Sequence, residues 1–220
     1  MTDPADTARE TAGLLMDIEA VLFRPEDPFV FTSGRSSPVY VDCRKIISFP
    51  RERGQLMDMA VALIGRDIGA GDIDVVAGGE TAGIPFAAWI AERLDKPMIY
   101  VRKKPKGFGR NAQIEGAFAE GARILLVEDL ATDGGSKLNF VDAIRAAGGE
   151  IAHTFVIFHY GIFPQGIAAL SERGVTLHAL ATWWDALAVA EERGYLSGAA
   201  LDEVRSFLEN PDGWSAKREG

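Results

Sequence analysis

The alternation of apolar and polar positions divides the chain into short elements. Leu14, Leu15, Ile18, Val21 and Leu22 recur at three- and four-residue spacing, so residues 7–23 read as an amphipathic helix. Residues 29–41 alternate loosely around Ser33-Gly-Arg-Ser-Ser-Pro, the pattern of two short extended pieces joined by a turn. Residues 51–67, following Pro50, read as a second helix.

Beyond residue 70 the pattern changes to near-continuous apolar runs separated by helical stretches. Residues 74–77, 97–101, 123–127, 152–159 and 175–180 read as strands. The stretch that follows Gly78-Gly-Glu-Thr-Ala-Gly, through Leu94, and residues 134–147 read as helices, the latter closed by Gly148-Gly149. Fully apolar strands that alternate with helices indicate a parallel sheet covered on both faces. The expected fold class is therefore α/β. The run 151–171 reads as a buried strand followed by a loop, because Gly161, Pro164 and Gly166 break it. The last forty residues, with Trp183-Trp184 and the stripe Leu201, Val204, Phe207 and Leu208, read as helical. One domain over 1–220 is expected, comprising an N-terminal segment 1–50, an α/β core 51–180 and C-terminal helices 181–220.

Composition changes this picture in few places. With 220 residues, 47% hydrophobic and 25% charged, the chain matches ordinary globular usage. Its single cysteine, Cys43, has no partner for an intrachain disulfide, which fits a reducing, cytoplasmic setting. Residues 1–6 lack the basic and apolar blocks of a secretion signal, and no uninterrupted apolar run suggests a membrane span. The net charge of −9 argues against nucleic-acid binding through bulk charge. Against that acidic background Arg102, Lys103, Lys104, Lys106 and Arg110 crowd together among Pro105, Gly107 and Gly109, as a mobile anion clamp would.

The strongest chemical signal lies in residues 123–136. Apolar residues deliver Glu128 and Asp129 to the end of a strand, and the loop Thr132, Asp133, Gly134, Gly135 and Ser136 opens a helix. Successive backbone N–H groups at a helix start wrap a phosphate. Adjacent carboxylates repel a phosphate but accept hydrogen bonds from sugar hydroxyls, and they position magnesium through water. A phosphorylated sugar therefore fits the whole segment, whereas a bare phosphate fits half of it.

This segment resembles the phosphoribosyl-diphosphate signature of type I phosphoribosyltransferases. Three further stretches are similar to the orotate phosphoribosyltransferases of that family, in the family's order. Phe31-Thr-Ser-Gly-Arg-Ser-Ser-Pro-Val-Tyr-Val-Asp resembles the base-binding segment, and Gly78-Gly-Glu-Thr-Ala-Gly-Ile-Pro-Phe-Ala the diphosphate loop. Residues 102–116, from Arg102-Lys-Lys-Pro-Lys to Ile-Glu-Gly, resemble the catalytic loop.

The resemblance implies a type I fold with a small N-terminal hood. It implies transfer of phosphoribosyl from 5-phosphoribosyl-1-diphosphate to orotate in pyrimidine biosynthesis, with Mg2+ carried by the diphosphate and no direct protein ligand to the metal. Glu128 and Asp129 would hold the ribose hydroxyls, with Asp129 reaching magnesium through water. Ala131, Thr132, Asp133, Gly134, Gly135 and Ser136 would hold the 5′-phosphate, with Thr132 also touching the base. Leu130 would count among the substrate-binding residues, and Thr81 and Ala82 would lie in the diphosphate loop. Arg102, Lys103 and Lys106 would close over the diphosphate, across the interface of a homodimer. Tyr40 and Val41 would meet orotate. Lys103, Lys106 and Asp129 would be the catalytic set, two cations for the leaving group and one positioning acid.

The chain departs from common family residues at Thr32, Ala82 and Phe108, and near His159–Tyr160. Two rival readings therefore stand beside orotate: a phosphoribosyltransferase for another base, and a non-catalytic sensor of the activated sugar. The basic loop favours catalysis. Gly107-Phe-Gly-Arg-Asn-Ala matches a dinucleotide fingerprint in spacing, but its glycines begin too far after the strand. His153, His159 and His178 are scattered through apolar strands and read as core or sheet-end histidines.

Overall fold

The computed structural model describes residues 3–31, 34–106, 113–132 and 135–218, and for 135–136 the backbone alone. In chain order the elements are α1 (Pro4–Asp17), β1 (Val21–Phe23), β2 (Phe29–Val30), β3 (Ser36–Ser37), β4 (Val39–Val41) and α2 (Pro50–Asp67). They continue with β5 (Val75–Gly79), α3 (Gly83–Leu94), β6 (Met98–Val101), β7 (Ile114–Glu115), β8 (Arg123–Ala131) and α4 (Gly135–Ala146). The last are β9 (Glu150–His159), α5 (Pro164–Glu172), β10 (Thr176–Thr182), α6 (Trp183–Glu192), α7 (Gly198–Glu209) and α8 (Pro211–Ala216). The chain divides into two compact units, one of residues 1–50, 160–162 and 181–220, the other of 51–159 and 163–180.

In the first unit, Asp3 caps α1 by accepting the Ala5 N–H at 2.9 Å, and Pro4 stands in the first helical turn. The expected helix over 7–23 ends early, at Asp17. Glu19 turns to a positive φ of 54°, and Val21–Phe23 leave the helix to pair antiparallel with Val39–Val41. Val21 and Phe23 are β-branched and aromatic, so a short ladder suits them better than a helix end. β2 and β3 form the expected pair of extended pieces. Cys43 is buried at the start of a 3-10 turn over Cys43–Ser48. Trp183 is fully buried, with the rings of Phe23 and Tyr160 edge-on to it at 5.9 and 5.6 Å.

The second unit is built on a six-stranded sheet in the order β10-β9-β8-β5-β6-β7. β5 runs parallel to β6 and β8, and β8 runs parallel to β9. The edge strand β7 is antiparallel to β6, so the sheet is mostly rather than wholly parallel. Strand side chains alternate between two faces. Val75, Ala77, Ile124 and Leu126 pack on one face with Phe140, Val141 and Ile144 of α4 and Leu170 of α5. α3 packs on β5 and β8 through the buried Phe86, Ala87 and Ile90.

α5 occupies part of the stretch expected to be a loop. Pro164 sits in its first turn, where a proline's missing N–H costs nothing, and Gly166 is buried inside it. β8 continues four residues past Val127, so Glu128, Asp129, Leu130 and Ala131 belong to the strand. Among the described residues no helix is long and apolar enough to cross a membrane.

Candidate active site

Parallel pairing sets the carboxyl ends of β5 and β6 level, since Gly79 pairs with Val101. Gly78 pairs with Val127, so at one edge of the sheet Glu80 and Arg102 leave their strands beside the Glu128–Asp129 stretch of β8, which runs on to Ala131. This is the edge where open parallel sheets bind ligands. Two glycines allow the close approach. A Cβ on Gly79 would lie 2.1 Å from Glu128 Oε1 and 2.8 Å from the Phe140 ring, and one on Gly83 would lie 2.4 Å from the Val127 carbonyl oxygen. Larger residues there would push Glu128 and the start of α3 off the sheet. The Glu80–Thr81 peptide bond is cis. Thr81 is exposed and Ala82 half-buried at the start of α3, where no side chain caps the helix. Backbone N–H groups at such a terminus suit an anion.

Glu128 is 7% exposed, and Lys137, from the first turns of α4, is 1% exposed. The Lys137 ammonium donates to Glu128 Oε2 at 3.3 Å and to the Leu130 carbonyl at 2.7 Å. Burial pushes the Glu128 carboxyl above its ordinary value. Lys137 opposes that rise, and the neighbouring charge of Asp129 adds to it. His159 pairs with Ala131 across β8 and β9, and burial, helped by Lys137, lowers its pKa and keeps it neutral. Asp129 and Leu130 are half-buried, Ala131 is buried and Thr132 is exposed. Asp133, Gly134 and the Ser136 side chain lie outside the described residues, and Gly135 opens α4.

The basic stretch begins at the same edge. Lys103 N–H donates to Glu80 Oε2 at 2.8 Å, and Asn139 of α4 donates to the Lys103 carbonyl at 3.0 Å. The backbone of Lys103 is thus tied to the loop after β5 and to the helix after β8. Glu115 on β7 pairs with Lys106 and, at 3.6 Å, with Arg102, and its hydrogen bond from Lys106 holds its carboxyl below the ordinary value. Arg102 Nε is buried with no hydrogen-bond partner among the described residues. Gly107, Phe108, Gly109 and Arg110 lie outside the described residues, as does Thr32.

Arg102, Lys103, Lys106, Thr81, Ala82 and residues 128–132 therefore gather at one edge of the second unit. Tyr40 and Val41 belong to the first unit, on β4, where Phe29 and Phe31 flank the Tyr40 ring at 5.3 and 6.3 Å. His153 and His178 meet each other instead, Nδ1 to Nε2 at 3.1 Å.

Reading the sequence missed Lys137, Glu80, Asn139 and Glu115. For Lys137 a signal was present. It stands on the stripe 137, 140, 141, 144, whose other members are the core residues Phe140, Val141 and Ile144. A lysine on an apolar face needs a buried partner. The other three act through tertiary contacts that no local pattern encodes.

Comparison with known proteins gives the family. The family model described as phosphoribosyl transferase domain matches residues 54–164. Orotate phosphoribosyltransferase of Cereibacter sphaeroides is 62% identical over 214 residues, covering 97% of this chain and 92% of that protein. The crystal structure of orotate phosphoribosyltransferase from Aeropyrum pernix is 32% identical with a TM-score of 0.71, covering 84% of this chain and 99% of that one. The Mycobacterium tuberculosis H37Rv enzyme, solved with 5-phospho-α-D-ribosyl 1-diphosphate, is 25% identical with a TM-score of 0.64, covering 82% and 98%.

Proposed function

The chain belongs to the orotate phosphoribosyltransferases of the type I phosphoribosyltransferase family, and from that premise we propose how its residues carry the reaction. It is a pentosyltransferase of pyrimidine biosynthesis, moving phosphoribosyl from 5-phosphoribosyl-1-diphosphate to orotate to give orotidine 5′-phosphate and diphosphate. The observation that carries the site is the sheet edge where Glu128, Asp129, the start of α4 and the backbone of Lys103 converge.

Glu128 and Asp129 accept the ribose hydroxyls, while the backbone from Leu130 to Ser136 and the N-terminus of α4 take the 5′-phosphate. The diphosphate lies toward Thr81 and Ala82 at the start of α3. Orotate's N1 is presented as an anion, so the attack on the anomeric carbon needs little help from a base. The harder demands are the positive charge that grows on the ribose and the negative charge that leaves with the diphosphate. Asp129 favours the first, and the cations of Lys103, Lys106 and Arg102 favour the second.

Arg102 and Lys106 are held by Glu115, so closing on the diphosphate exchanges one anionic partner for another. Closure over the reacting centre also excludes water that would hydrolyse the activated sugar. Tyr40 and Val41 supply contacts to orotate.

Mg2+ fits the donor set at this edge. Asp129 is a half-buried hard-oxygen group there that would hold a hydrated ion. When bound, Mg2+ neutralises charge on the diphosphate. A homodimer with shared sites and a cytoplasmic location complete this reading.

The test is turnover. Pure protein, phosphoribosyl diphosphate, Mg2+ and a panel of bases should yield nucleotide and diphosphate with orotate. Turnover with uracil or a purine in place of orotate would overturn the base assignment, and no turnover with any base would overturn catalysis.

A further inference from the structure

Lys137 stands outside the residues assigned above to substrate, yet it is among the most deeply buried charged groups in the chain. Burying an ion pair is costly, and hydrophobic residues of similar volume often serve a fold equally well. Packing alone therefore gives a poor account of an ammonium on the apolar stripe of α4.

Its two contacts suggest a better one. The Leu130 carbonyl, at 2.7 Å, is the closer partner and fixes where the ammonium sits. The Glu128 carboxylate, at 3.3 Å, is the group that the fixed ammonium then orients. Gly79 leaves room for the second carboxylate oxygen, Oε1, against the end of β5. His159, beside Lys137 at the end of β9, is neutral and adds no competing cation. Asp129 and Lys103 are the further charges whose fields reach Glu128.

We propose that Lys137 is a positioning residue for the sugar site, holding the buried Glu128 carboxylate in the orientation that accepts the ribose hydroxyls of phosphoribosyl diphosphate. The inference rests on the reading of Glu128 as a ribose ligand. Lys137 itself touches no substrate. Its effect should appear in recognition of the activated sugar and leave recognition of the base unchanged.

Three single variants test it: Lys137→Met, which removes the charge, Lys137→Arg, which keeps it, and Glu128→Gln as the control. Lys137→Met should raise KM for phosphoribosyl diphosphate roughly 10- to 100-fold, the scale of a misplaced binding group, and leave KM for orotate within about threefold. Lys137→Arg should recover most of that loss. A folded Lys137→Met enzyme with an unchanged KM for phosphoribosyl diphosphate would overturn the proposal, as would equal rises in both KM values.

Should Lys137→Met not accumulate as folded protein, Glu128→Gln is compared with the double variant Glu128→Gln/Lys137→Met, which has no unpaired buried charge. Calorimetric affinities for phosphoribosyl diphosphate within about threefold of each other mean that Lys137 acts through Glu128. A further loss of roughly tenfold or more would show that it acts independently and would overturn the proposal. If Glu128→Gln alone binds phosphoribosyl diphosphate like the wild type, the ribose reading of Glu128 has failed and this inference falls with it. If Glu128→Gln loses the ligand and Lys137→Met does not, the positioning role alone has failed.

Discussion

The two ends of β8 each carry an ion-pair cluster, in opposite surroundings. At its start, Arg123 bonds the Asp74 carboxylate at 2.8 and 3.0 Å, Asp72 at 2.9 Å and the Gly71 carbonyl at 2.6 Å, with its side chain 42% exposed. Near its end, Glu128 meets Lys137 with both side chains almost wholly out of solvent. The exposed cluster has more hydrogen bonds and the shorter distances. The buried pair has fewer bonds and the larger consequence, because water cannot replace a lost partner there.

A cavity of about 510 Å³ adjoins the first end, lined in part by Asp72, Arg123, Arg145 and His153. Its arginines are already engaged, Arg123 by the two aspartates and Arg145 by the carbonyls of Ile151 and Arg173. A cavity by itself does not mark a site. The starts of α3 and α4 and the tethered basic stretch lie at the other end.

The largest test of this contrast is Lys137→Met. Leaving the Glu128 carboxylate buried without its partner should destabilise the fold by about 3–5 kcal/mol, read from chemical denaturation. A loss below about 1 kcal/mol would mean that water reaches the pair, and the contrast would collapse.

The next test is acid. Hydrogen bonds from Arg123 hold the Asp74 carboxyl well below its ordinary 3.8, so its contribution is present above that value and lost as pH falls through the folded pKa. Burial holds Glu128 above its ordinary 4.5, so the unfolded chain releases that proton first. Its contribution is greatest below 4.5 and lost as pH rises through the folded pKa. From about pH 3 to pH 6, Tm of Asp74→Asn relative to wild type should fall, while that of Glu128→Gln should rise. Slopes of the same sign would break the comparison.

The smallest expected effect belongs to Arg123→Ala. Exposed pairs stabilise a fold little, and salt near 1 M should erase most of the difference from wild type. A salt-independent loss would place Arg123 among the buried pairs and sharpen the account of that end.

Much of the site could be read before the fold was known, for a local reason. Residues 123–136 carry strand, acids and helix start in one continuous stretch, so adjacency in sequence is adjacency in space. The same holds for the stretch from β5 into α3, where strand, glycines and helix follow one another. The partners of the basic stretch could not be read this way. Glu80 lies 23 residues from Lys103 and Asn139 lies 36 away, and they meet because parallel pairing sets β5 beside both β6 and β8. The helix expected over 7–23 failed for a related reason, since the apolar stripe could not reveal that Val39–Val41 would pair with its last turn.

By itself, then, the sequence determined the alternation that builds an α/β sheet, the family, and the order of acids, glycines and hydroxyls that a phosphorylated ribose requires. These are local properties, set by side-chain periodicity and by the backbone chemistry of strand ends and helix starts. Only the tertiary structure decided that Lys137 turns inward to Glu128, that Glu115 engages Lys106 and Arg102, and that Lys103 is clasped from two sides. The first depends on a buried charge finding its partner, a choice that desolvation enforces. The other two depend on strand register, which brings residues distant in sequence to one edge of the sheet.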